Sequence, residues 1–60
     1  MKHRYTIIMP SGARHEAEFS HELRPGDILL GRGQPYAGHM VTAIDQERDG
    51  RRDVRVKPRP

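Results

Sequence analysis

The stretch Asp49-Gly50-Arg51-Arg52-Asp53-Val54-Arg55-Val56-Lys57 decides the reading of this chain: a turn dipeptide opens directly onto valines that alternate with charged residues. A period of two puts Val54 and Val56 on one face of a strand and Arg55 and Lys57 on the other. Gln46 to Gly50 then reads as the turn of a hairpin, whose first arm is His39 to Asp45 with the β-branched run Met40-Val41-Thr42-Ala43-Ile44.

Working outward from that hairpin, the rest of the chain divides at turn residues. Arg4 to Met9 is a first strand, with Tyr5, Ile7 and Met9 on one face and Thr6 and Ile8 on the other. Pro10-Ser11-Gly12 turns the chain into a second strand, Arg14 to Phe19, in which Glu16 and Glu18 face water and Ala17 and Phe19 face the core. Ser20-His21-Glu22-Leu23 allows one short helical turn near residues 20–24, which Pro25 ends. Arg24-Pro25-Gly26-Asp27 has the order of a type II turn and leads into Ile28-Leu29-Leu30, an apolar run bounded by glycines that reads as a buried strand. Gly31 to Gly38 is the longest irregular stretch and is expected to be an exposed loop.

These elements predict an all-β fold, a small five-stranded antiparallel barrel or strongly bent sheet, with a single domain over residues 1–57 and a frayed tail at 58–60. The run Leu23-Arg24-Pro25-Gly26-Asp27-Ile28-Leu29-Leu30, followed by a loop, a β-branched strand and a final hairpin arm, resembles the Src-homology-3-like small barrels, KOW-type modules included. The resemblance spans the second half of the chain and implies a fold. It transfers no binding residue, because the signalling members of that group read proline-rich ligands with rows of aromatics and this chain has no tryptophan and two tyrosines.

Sixty residues bury only about 60% of the surface that the unfolded chain exposes. There is no cysteine to staple the fold, and the aromatics are Tyr5, Phe19 and Tyr36 alone. So small a core makes association an expectation. Ile8, Leu29, Val41 and Ala43 fall on the face opposite the predicted core and are the candidate surface for a homodimer or another protein partner. No apolar run approaches the roughly 18 residues of a membrane span, so the chain is expected to be cytoplasmic with no membrane partner.

Charge is unevenly spread. Residues 48–60 carry six basic side chains against Asp49 and Asp53, and residues 14–27 carry four acidic side chains against Arg14 and Arg24. Arginine outnumbers lysine nine to two, which codon usage in a GC-rich gene explains as readily as a ligand does. The basic run still defines the leading functional expectation, nucleic-acid binding, with Arg51, Arg52, Arg55, Lys57 and Arg59 on phosphates and Arg32 and Tyr36 adding a loop contact in which the tyrosine stacks on a base. Its weak point is Glu16 and Glu18, which neutralise Arg55 or Lys57 if the second and last strands lie side by side.

Other chemistry finds little support. His3, His15, His21 and His39 lack the close spacing of metal ligands, so no metal is expected. Gly31-Arg32-Gly33 lacks the further glycines or the lysine of a nucleotide loop and is followed by Gln34-Pro35-Tyr36 in place of a helix, so no cofactor is expected. Ser11 and Ser20 stand at turn and cap positions, and no residue earns a catalytic role. The competing class is a protein-interaction or homo-oligomeric assembly module.

Overall fold

Two hairpins build the protein. The computed structural model describes residues 2–59 and contains β1 (His3–Ile8), β2 (Arg14–Phe19), β3 (His39–Ile44) and β4 (Arg52–Pro58), with no helix among the described residues. In the first hairpin Gly12 N donates to Met9 O at 2.8 Å and Met9 N to Ala13 O at 2.8 Å, with Gly12 at φ 92°, a conformation that side chains disfavour. In the second, Arg48 and Arg51 exchange both backbone bonds around Asp49 and Gly50, whose φ values of 54° and 76° are the paired positive angles of a type I′ turn.

The hairpins join in one sheet of order β2-β1-β4-β3. The outer pairs are antiparallel, and the central pair, β1 with β4, is parallel with Ile7 opposite Val54. A parallel join needs a long crossover. Residues 20–38 supply it and at the same time cover one face of the sheet, against which Leu23, Leu29 and Tyr36 pack on Tyr5, Ile7, Val41, Val54 and Val56. The Tyr5 hydroxyl accepts a hydrogen bond from Leu23 N at 2.9 Å, fixing the start of the crossover. The expected type II turn follows, with Asp27 N donating to Arg24 O at 3.1 Å and Gly26 at φ 97°. Phe19 closes one side, its ring centroid 6.0 Å from that of Tyr5 and 6.4 Å from that of Tyr36. Gly31 leaves room for the Tyr36 ring: a Cβ there would sit 2.8 Å from Tyr36 Cε1.

Several expectations change. The described sheet is open, with β2 and β3 at its ends, and its centre is parallel where an antiparallel arrangement was expected. Ile28-Leu29-Leu30 forms no full strand. Residues 26–29 run along β3 with a single bridge, Ile28 to Met40, and Leu30 turns out to 88% exposure where the chain leaves the ladder for the next loop. No helical turn forms at 20–24, since the Leu23 N–H is committed to Tyr5. The alternation that placed Val41 outward fails at a bulge between Val41 and Ala43, which lets Val41 and Ile44 both face the core side. Val41 and Leu29, at 1% and 0% exposure, are core residues and offer no partner surface in this chain. Pro58, read as tail, pairs with His39 inside the last strand, and Pro60 lies outside the described residues.

Replacing Tyr5 with Phe leaves the buried Leu23 N–H without its acceptor and is expected to cost about 1–3 kcal/mol in chemical denaturation, with the native β-sheet spectrum retained.

Candidate nucleic-acid interface

The face of the sheet turned away from the crossover is built by the residues between the core positions. Residues opposite one another across a ladder share a face, so the registers define its rows. One row runs Arg14, Ile8, Arg55, Ala43 across all four strands. The next toward the end of β4 holds Lys57 and Met40, and in the opposite direction lie Glu16, Thr6 and Asp53, then Glu18 and Arg4.

The acidic side chains of the strands lie in the rows of Glu16 and Glu18, where Glu16, Glu18 and Asp53 each meet a cation; Asp45, just past β3 with its N–H on Asp53 O at 2.8 Å, forms no ion pair among the described residues. Glu16 pairs with Arg51, Glu18 with Lys2 at 3.8 Å and Arg4 at 3.6 Å, and Asp53 with Arg48 at 3.9 Å. Off this face, Arg52 reaches Glu22 at 3.1 Å. β1 lies between β2 and β4, which keeps Glu16 and Glu18 from the neighbouring position that would have neutralised Arg55 or Lys57. Arg55 and Lys57 are exposed and form no ion pair among the described residues; Arg59, just past β4, is exposed in the same way. The carbonyl of Arg55 accepts from Thr42 Oγ1 at 3.1 Å, which ties the bulge of β3 to β4.

The seven residues of the expected binding set therefore separate. Arg55, Lys57 and Arg59 follow one another along β4 and just past it with no ion pair among the described residues, while Arg51 and Arg52 are engaged by Glu16 and Glu22. Arg32 is exposed on the crossover loop. Tyr36 is 7% exposed and held by Phe19 and the space above Gly31, so its ring is not free to stack on a base. Sequence reasoning passed over Arg14. Its place in the same alternation as Glu16 and Glu18 was legible, but its row with Arg55 needs the β1–β4 pairing.

Of the expected partner surface, Ile8 and Ala43 do lie on this outer face, half-buried and separated by Arg55. Among the described residues the exposed large apolar side chain is Leu30, beside a hollow of about 180 Å³ lined by Phe19, His21, Leu23, Asp27, Ile28 and Leu30 itself. Among the described residues no three metal-ligating side chains come together. No helix is long and apolar enough to cross a membrane. Comparison with protein-family models, curated proteins and solved structures gives no match.

Because Arg55 and Lys57 form no ion pair among the described residues, the Arg55→Ala, Lys57→Ala double variant is expected to keep its stability within about 0.5 kcal/mol, read from the denaturation midpoint.

Proposed function

We propose that the protein acts by binding, without catalysis, and that its ligand is the phosphate backbone of a nucleic acid laid against the outer face of β4. The observation that supports this reading is the segregation of charge: the strand carboxylates of the face, Glu16, Glu18 and Asp53, are engaged by other cations, Asp45 stands past the end of β3 beside Asp53, and Arg55 and Lys57 form no ion pair among the described residues. Their neighbours Ile8 and Ala43 carry no charge that competes with a phosphate. None of the three aromatics lies in these rows, which favours contacts to phosphate over stacking or base readout.

Two or three phosphate contacts predict weak, sequence-indifferent binding with a logarithmic salt slope of about −1.8 to −2.7 on duplex DNA, a loss of about 12- to 40-fold between about 50 and 200 mM salt. Titration into labelled single- and double-stranded DNA and RNA reads this directly. The Arg55→Ala, Lys57→Ala variant is expected to bind more weakly and to flatten the slope by about 2. Absence of binding at the lower salt, or a slope unchanged in the variant, rules the reading out. A protein-interaction module is the second reading, supported by Leu30 and the hollow beside it; association that is indifferent to salt and lost in Leu30→Ser would favour it.

A further inference from the structure

The two ends of the sheet are finished differently. Along β3 the chain covers its own edge: Gly26 N donates to Val41 O at 2.8 Å, Val41 N to Asp27 O at 2.8 Å, Leu29 N to His39 O at 2.9 Å and Gly38 N to Leu29 O at 2.9 Å. Along β2 no further strand pairs among the described residues. The Met9 N to Ala13 O bond makes residues 9 and 13 a hydrogen-bonded pair. Antiparallel ladders alternate, so Ile7 with His15 and Tyr5 with Ala17 are hydrogen-bonded pairs as well. The N–H and C=O groups of Arg14, Glu16 and Glu18 consequently point away from β1, into the open edge.

We infer that this edge pairs with the β2 edge of a second copy, antiparallel about a two-fold axis through Glu16. Faces must match across the new ladder, which restricts the axis to a residue position. An axis at Glu16 sets Arg14 opposite Glu18 of the second copy on both sides and engages every outward-pointing residue of β2, giving about six backbone bonds. An axis at His15 or Ala17 gives about four, and the latter sets Glu16 against Glu18 twice, a like-charge pairing. The Glu16 side chains that meet on the axis are each already engaged by Arg51.

Two further features of β2 fit. Arg14, exposed in the same row as Arg55, has no carboxylate partner in its own chain among the described residues, and this register supplies one. Ala17 and Phe19 are only partly buried at the margin of the core, and a neighbouring strand extends the cover over them. Dimerisation does not rest on the nucleic-acid reading, since Arg55 and Lys57 lie on β4, beyond β1 from this edge, and it is measured without nucleic acid present.

Sedimentation velocity across the micromolar range is expected to show the wild-type chain as a species of twice its 6.9 kDa. Glu16→Pro removes an outward N–H that β1 does not use, so it is expected to give a monomer with an unchanged far-ultraviolet spectrum. Arg14→Glu and Glu18→Arg are each expected to raise the dissociation constant about tenfold, and the double reversal to restore it, which also decides the matter if the proline variant does not fold. A wild-type chain that stays monomeric, a folded Glu16→Pro that still dimerises, or recovery by Arg14→Glu with Glu16→Arg in place of Glu18→Arg would each overturn the inference.

Discussion

One face of a four-stranded sheet has to be kept dry here by residues 20–38, which have no helix or strand of their own, and the rest of the structure depends on how that is done. Irregular chain carries backbone groups that the core cannot leave unpaired. The problem is met locally: the Tyr5 hydroxyl takes the Leu23 N–H, the Arg24–Asp27 turn closes on itself, and residues 26–29 borrow the edge of β3. Only then can Leu23, Leu29 and Tyr36 be pressed onto the valines and isoleucine of the sheet. Gly31 belongs to the same arrangement, since its missing side chain is what leaves room for the Tyr36 ring.

The sheet was largely legible because its signals are local. Arg14 to Phe19 is a strand with the bounds that its alternation gives, Val54 and Val56 point inward as their spacing requires, and Pro-Ser-Gly, Pro-Gly and Asp-Gly all turn where they stand. What escaped were features set between distant segments. The parallel join of β1 to β4 leaves no mark on either strand's pattern, and without it the row from Arg14 to Arg55 cannot be seen. The bulge after Val41 exchanges faces within a strand whose residues, Met40 to Ile44, are apolar or β-branched on both sides and so give no hint of it. Tyr36 reads from the sequence either as a loop aromatic that stacks on a base or as a ring lying over the open end of the fold; its burial against Phe19 and above Gly31 takes the second form.

Charge shows the same division between local and distant. The sequence displays a basic end and an acidic arm, and a direct cancellation between them was the natural concern. The cancellation is partial: Glu16 reaches across β1 to Arg51 and Glu22 takes Arg52, while Arg4 takes Glu18 and Arg55 and Lys57 form no ion pair among the described residues. Exposed pairs of this kind contribute little to stability individually. Their effect is one of allocation, since they decide which cations remain available to a ligand.

The parallel central pair also governs when the protein can form. Ile7 and Val54 stand near opposite ends of the chain, yet they are neighbours in the middle of the sheet. The first hairpin can close on local contacts, but its inner edge has no partner until β4 arrives. Such a topology closes its longest loop last, and removal of β4 would take out the middle of the sheet, where loss of β2 would take only an edge.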